Sequence, residues 1–341
     1  MRPGGRIASG IPAESGSRKC EFIIARCRDE EFAASKPIPS LLLMQPGCEA
    51  KTQAALRIFS GVLVGVWRDL QCRLREINNG AASQGPAPMN FDPTTFRLNS
   101  PLGKRILAVT RGGDYAHPGE EDAIRLTLGE SAGTTGRRWL DAGCGRGGTA
   151  DFIMRAGWAD VSGFDIDGAS VDEASKRFTD VRFYTCAVEN AAERIPGEFD
   201  LIYSFNAFYA FPDQPGALSN LAALAERGGR LVIFDYMDRG GFYDCALARN
   251  PEAAHWRPID AERMGEWLRA SGWRLEAIEN LDREYERWYL WLTERFESRR
   301  AELLAIAPAE AVDYARSFFS EVLAAIRSGV LGGGIVRASR I

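Results

Sequence analysis

Two histidines, His117 and His255, are all that this chain of 341 residues contains, and its seven cysteines include no Cys-x-x-Cys pair. A structural zinc site needs several soft ligands at tight spacing, so this scarcity argues against a metal. An odd, scattered cysteine set lacks the logic of a secreted disulfide scaffold and fits a reducing cytoplasm. Long apolar runs are also missing. Those present, such as residues 62–66, are far too short to span a bilayer, so no membrane contact is expected. Nor is there a strong charge excess: the formal net charge is −4, which offers no electrostatic footprint for nucleic acid. Hydrophobic content of 45% and charged content of 26% are ordinary for a globular protein. The length allows one elaborated α/β domain or two domains.

Residues 1–88 differ from the rest. They hold 12 Lys+Arg against 8 Asp+Glu, leaving 30 against 38 for residues 89–341. Glu14, Glu21 and the run Asp29-Glu30-Glu31 argue against an acid-poor transit peptide, and an apolar signal core near the start is missing. Residues 1–88 are expected to be a poorly ordered extension or the product of an upstream misread start, with the folded unit at 89–341. Residues 89–136 read as a helical lead-in, 137–281 as the core, 282–330 as a helical lid and 331–341 as the last strand.

What the sequence does have is a glycine-dense turn at residues 138–148, Arg-Trp-Leu-Asp-Ala-Gly-Cys-Gly-Arg-Gly-Gly. A short apolar run ends in Asp141, and a turn through Gly143, Gly145 and Gly147 opens an amphipathic segment at 149–156. Glycines permit positive φ and leave no side chain in the way of a ligand, and the free N–H groups of a helix start face the loop. Two ligand classes compete for such a turn. Gly143, Gly145 and Gly148 satisfy the G-x-G-x-x-G dinucleotide pattern, with an acid about 20 residues on. Asp141 points the other way, because a carboxylate at the strand mouth repels a pyrophosphate and suits a ligand bringing an ammonium.

The Asp-x-Gly-x-Gly run resembles motif I of the class I methyltransferases that use S-adenosylmethionine (SAM), which has an ammonium and a sulfonium and no phosphate. Later stations repeat the resemblance. Residues 161–166 read as a second strand, with Asp165 placed for ribose hydroxyls and Ile166 beside it; Asp167 is the alternative and a candidate helix cap. Residues 181–186 read as a third strand. Ala187 departs from the acid that the family commonly carries there, which leaves the backbone of Val188 and the side chain of Glu189 for adenine. Residues 199–205 read as a fourth strand with Asn206 at its carboxyl end, 228–236 as a fifth behind a glycine turn, and 273–281 as a sixth.

A minimal core of this family would turn almost directly from the sixth strand into the seventh. Here residues 282–330 intervene, with Tyr285, Trp288, Tyr289, Leu292 and Phe296 at helical spacing and a second stripe at Val312, Phe319, Val322, Leu323 and Ile326. This helical pair, followed by a glycine turn and a last strand, resembles the glycine, sarcosine and dimethylglycine N-methyltransferase branch. The implied fold is α/β, a Rossmann-like seven-stranded doubly wound sheet with a helical lid inserted before the last strand. The implied activity is SAM-dependent methylation of a small soluble molecule, N-methylation slightly ahead of O-methylation on a phenolic or hydroxylated acceptor. An NAD-dependent oxidoreductase and a non-catalytic SAM-binding relative remain as alternatives. Candidate cofactor residues are Asp141, Gly143, Gly145, Gly147, Asp165, Ile166, Val188, Glu189 and Asn206. His117 and Tyr115 are candidates for catalysis, and Tyr209, Tyr236, Trp288 and Tyr289 for an aromatic substrate pocket. The sequence carries no signal of oligomeric state.

Overall fold

The structure, a computed structural model, describes residue 92, residues 95–132 and residues 137–341. The reading of residues 1–88 as an extension or a start-site artefact lies outside the described residues. Seven strands form one sheet: β1 (Arg138–Ala142), β2 (Asp160–Asp165), β3 (Arg182–Thr185), β4 (Phe199–Phe205), β5 (Ala225–Asp238), β6 (Trp273–Asn280) and β7 (Leu331–Arg340). Their order is β3-β2-β1-β4-β5-β7-β6. The first five run parallel, and β7 lies antiparallel between β5 and β6. Chain progression reverses between β1 and β4, which puts a crevice beyond their carboxyl ends, the place where open α/β sheets bind ligands.

Helices before and between the parallel strands are α1 (Pro101–Arg111), α2 (Glu120–Leu128), α3 (Gly148–Arg155), α4 (Gly168–Arg177), α5 (Ala191–Arg194), α6 (Gln214–Leu224) and α7 (Ala261–Ala270). Their ends follow local chemistry. Ser100 caps α1 by accepting from the Gly103 N–H, with Pro101 in the first helical position, and Asp213 and Asp260 cap α6 and α7 in the same way. The inner strands bury both faces. In β4, Leu201, Tyr203 and Phe205 join one hydrophobic cluster while Ile202 joins the other; in β5, Val232, Phe234 and Tyr236 oppose Leu231, Ile233 and Met237. This is the two-residue alternation of a pleated strand covered on both sides.

Between β6 and β7 lie α8 (Asp282–Ser298), α9 (Arg300–Leu304) and α10 (Ala309–Arg327). Tyr285, Trp288, Tyr289, Leu292 and Phe296 are the buried residues of α8, spaced by three or four as one helical face requires. Val312, Phe319, Val322, Leu323 and Ile326 are buried on α10. Ion pairs Arg316–Glu297 at 2.9 Å and Arg327–Glu286 at 2.9 Å tie the two helices at their outer edges.

Gly332-Gly333-Gly334, expected as a turn before the last strand, sits inside β7. These residues pair with Met237, Tyr236 and Asp235 of β5. Their bare backbone is a packing device: a Cβ on Gly333 would fall among the ring atoms of Tyr285, and one on Gly332 would meet the Asp282 carboxylate. Thus α8 packs flat on a strand stripped of side chains, which brings its aromatic face down onto the sheet. Gly333→Ala should lower unfolding free energy by about 1–3 kcal/mol through overpacking, whereas Gly129→Ala, whose Cβ meets nothing within 4 Å, should stay within about 0.5 kcal/mol of the parent. Chemical denaturation of both variants checks the pair.

Candidate active site

The last turn of β1 delivers Asp141 beside Tyr203 of β4 and Gly163 of β2. Its side chain is enclosed, the residue being 2% exposed, and its Oδ2 has no hydrogen-bond partner among the described residues. Burial pushes the carboxyl up to about 8; the neighbouring Tyr203 hydroxyl holds it back and the Asp165 charge adds to the rise. A buried carboxylate oxygen with nothing to answer it is an unsatisfied demand for a donor or a cation.

The turn that follows is shaped by its glycines. Gly143, Gly145 and Gly147 have φ of 85°, 51° and 82°. Gly147 also cannot carry a side chain because a Cβ would stand 2.7 Å from the Phe183 ring, whereas at Gly145 the nearest atom, Ala116 Cβ, is 4.0 Å away. The turn is therefore tight on its inner side and open at Gly145. Asp165, at the tip of β2, accepts from the Gly145 N–H at 2.8 Å and the Asp167 N–H at 2.9 Å. Each carboxylate oxygen keeps further acceptor capacity. Ile166 follows with 75% of its surface exposed, an apolar face beside the crevice. Asp167 caps α4 through Ala169 and pairs with Lys104, so it is committed to structure. Val188 is buried at the start of a 3-10 turn, Val188–Asn190, and the Glu189 side chain is exposed.

The segment before α2 crosses the glycine turn. Asp114 receives Arg146 at 2.7 Å and is also bonded by Arg177, which pins residues 114–117 to the turn and to α4. Tyr115 donates to Glu121 at 3.2 Å, and burial, with the Glu121 charge beside it, pushes its phenol up to about 12. Lys104, Tyr115, Ala116, Gly145, Arg146 and Ser170 line a small cleft there.

His117 is 1% exposed. Its Nδ1 lies 3.2 Å from the Pro118 carbonyl, which can only accept, so Nδ1 carries the proton; Nε2 then accepts from the Thr149 hydroxyl at 3.0 Å. Burial drives the imidazole down to about 3 against the Pro118 bond, and the Arg111 charge drives it the same way. Both ring nitrogens are spent, so in this arrangement His117 holds the 115–118 segment on α3 and is not a free base.

Asn206, at the end of β4, adopts φ of 46°, an uncommon conformation for a residue with a side chain. Its Oδ1 accepts from Tyr285 at 3.2 Å, and its Nδ2 is buried without a partner. Beyond it the expected aromatic residues meet. Tyr209 and Tyr236 stand 5.1 Å apart, Tyr236 is hydrogen-bonded to Tyr289, and Trp288 packs 5.9 Å from Phe234. Four residues not expected in this group join them. Trp256 stacks on Tyr236 at 4.6 Å, Tyr285 bridges to Asn206, and Asp235 and Arg111 supply charge. Asp235 is fully buried and accepts from the N–H groups of Tyr209 at 3.0 Å and Tyr236 at 2.7 Å, so it fixes the loop after β4. Burial raises its carboxyl to about 7, and the backbone donors oppose the rise. An acid inside the apolar run 231–237 was a visible anomaly in the sequence. Arg111, the last residue of α1, gave no comparable sign.

Comparison with known proteins decides the family. The sequence matches the family described as Methyltransferase domain over residues 115–278. Aklanonic acid methyltransferase DauC of Streptomyces sp. strain C5 is 30% identical over 199 residues, covering 52% of this chain and 79% of that protein. The chain belongs to the class I SAM-dependent methyltransferases. Another methyltransferase relative, the ubiquinone biosynthesis O-methyltransferase of Aromatoleum aromaticum, is 30% identical over 156 residues, 44% of this chain and 65% of the relative. The chain spans only 53% of the corresponding Aeromonas salmonicida enzyme.

Solved methyltransferase structures share the fold at low identity. A phosphoethanolamine N-methyltransferase 2 of Haemonchus contortus with bound SAM aligns at TM-score 0.63 and 20% identity, over 70% of this chain and 56% of that one. A protein assigned as a sarcosine dimethylglycine methyltransferase from Galdieria sulphuraria aligns at 0.58 and 15%, over 69% and 97%.

The methyltransferase cofactor fits the residues present. SAM brings an ammonium, and Asp141 Oδ2 is a buried acceptor without a partner. In the free protein the Asp141 carboxyl is protonated below about 8, and pairing with an ammonium requires its ionised form. Affinity for S-adenosylhomocysteine should therefore rise toward pH 8, with a limiting slope of about tenfold per pH unit below it, and binding should release a proton. Asp141→Asn should weaken binding on the order of thirtyfold or more and abolish the slope. Calorimetry in buffers of different ionisation enthalpy measures both.

Proposed function

We propose that this chain methylates a small molecule with SAM, and that the acceptor is an oxygen on a flat hydroxylated ring in preference to an amine. The observation that carries the donor half is the unpartnered Asp141 oxygen beside an open glycine turn. Asp141 would take the amino group, Asp165 the ribose hydroxyls, Ile166 a face of the adenine, and the Val188 backbone its edge. Asn206 stands at the border between donor and acceptor. When bound, SAM supplies an electrophilic methyl on a sulfonium.

The chain's own contribution is alignment and exclusion of water, which in well-oriented systems reach on the order of 7–11 kcal/mol. A phenol acceptor must also give up its proton; His117, with both nitrogens engaged, offers no base, so that proton would leave to solvent. The acceptor half rests on the aromatic walls at Tyr209, Tyr236, Trp256, Tyr285 and Tyr289, whose π faces suit a flat ring. These walls also suit an onium group, which supports N-methylation as the second reading. One feature favours oxygen: the curated relatives named above include O-methyltransferases.

Two measurements test this. Calorimetry should find binding of S-adenosylhomocysteine and none of NADH. With SAM present, release of S-adenosylhomocysteine should be supported by catechols and hydroxybenzoates and not by small primary or secondary amines. Binding of NADH alone would remove the donor assignment, and turnover confined to amines would move the acceptor to nitrogen.

A further inference from the structure

A buried arginine needs a reason, and the partners of Arg111 do not exhaust it. The residue is 6% exposed. Its Nη1 donates to the His117 carbonyl and, at 3.3 Å, to Glu120. Its Nε is buried and has no hydrogen-bond partner among the described residues. Glu120 is itself shared, because Arg295 approaches its other oxygen at 3.1 Å. Two guanidinium groups therefore divide one carboxylate.

Two further buried donors lack partners among the described residues, Trp288 Nε1 and Asn206 Nδ2. All three residues lie near one another. Asn206 accepts the Tyr285 hydroxyl, Trp288 lies 6.0 Å from the Tyr285 ring, and Arg111 bonds His117 and Glu120 on either side of Gly119, where a Cβ would fall 2.5 Å from the Trp288 indole. Each unmet donor in such a place is destabilising, and a compact group with several acceptor lone pairs would satisfy all three. A neutral ring hydroxyl has two lone pairs for three donors, whereas an oxyanion has enough and also matches the guanidinium charge.

Building on the methyltransferase reading above, we propose that Arg111, Trp288 and Asn206 form a docking point for a carboxylate borne by the methyl acceptor. The acceptor is then a hydroxylated aromatic acid. Its ring lies among the tyrosines, and its acid group takes the Arg111 Nε–H and the indole N–H. Phosphate shares this chemistry, so an aryl phosphate provides the separating arm.

The test uses the full chain and measures binding of dihydroxybenzoates, their methyl esters and phenyl phosphate by calorimetry, with and without S-adenosylhomocysteine. The wild-type protein should bind the acids at least about tenfold more tightly than the esters. In Arg111→Gln that ratio should fall to about one, with affinity for S-adenosylhomocysteine within about twofold of wild type. Trp288→Phe keeps the ring and deletes only the N–H donor, and should reduce the ratio about threefold or more. If Arg111→Gln fails to fold, the Trp288→Phe ratio decides. Equal binding of acids and esters, absence of acid binding, or a ratio untouched by Trp288→Phe would each overturn the proposal. Tighter binding of phenyl phosphate than of the acids would overturn the assignment to carboxylate. Loss of S-adenosylhomocysteine binding in the wild-type protein would sink the donor reading instead, and the acid-to-ester ratio measured without it would still stand on its own.

Discussion

The architecture depends on a carboxylate in an expensive place. Asp141 stands at the carboxyl end of β1, buried against Tyr203 and within the field of Asp165. An ordinary stability argument would replace it with an apolar residue, since a buried polar group without a partner is unfavourable. The surrounding turn explains its presence. Gly143 and Gly147 bend the chain back through positive φ so that α3 begins immediately beside the acid. The open side at Gly145 then leaves room for the group that would relieve it. Fold and ligand demand are thus one feature, and the rest of the sheet places walls around it.

The helical insert provides those walls by an unusual route. A strand of β-branched residues at β7 would hold α8 away from the sheet. The run Gly332-Gly333-Gly334 instead lets Tyr285 and Asp282 rest on bare backbone. Arg239 and the Gly333 N–H both reach Asp282, which fixes the start of α8. From that anchor the helix carries Tyr285, Trp288 and Tyr289 over Phe234 and Tyr236. Glycine weakens a strand in isolation, and here pairing on both sides by β5 and β6 offsets the loss.

Much of this was legible from residues alone, for identifiable reasons. The buried strand β4 and the inner part of β5 announce themselves as apolar runs, and the Asp141 turn does so because its spacing is local. The α8 face was readable from the recurrence of Tyr285, Trp288, Tyr289, Leu292 and Phe296. What stayed hidden is what depends on meeting across the fold. The glycines of β7 look like a turn in sequence, since only the approach of Tyr285 gives them another purpose. His117 looks like a base by residue type, and only its burial between Pro118 and Thr149 shows both nitrogens engaged. Arg111 is one basic residue at a helix end among many, and nothing local distinguishes it from a surface cation completing a helix dipole.

The two unmet groups bear on each other. Asp141 has a carboxylate oxygen without a partner and Arg111 a guanidinium N–H without one, both buried in the same domain. Had the fold used these residues for stability alone, the favourable arrangement would pair them with each other, since a joined buried pair is far less unfavourable than two halves. Arg111 instead takes Glu120 and the His117 carbonyl on one edge, and Asp141 faces a tyrosine that supplies no charge. Keeping the two apart leaves an acidic end toward the glycine turn and a donor-rich end around Tyr285. The aromatic rings of Phe205 and Phe234 adjoin His117 on the same face of the sheet. A site polarised in this way asks for two different guests, one cationic and one rich in acceptors. Two reactants that must meet without exchanging places present the same requirement.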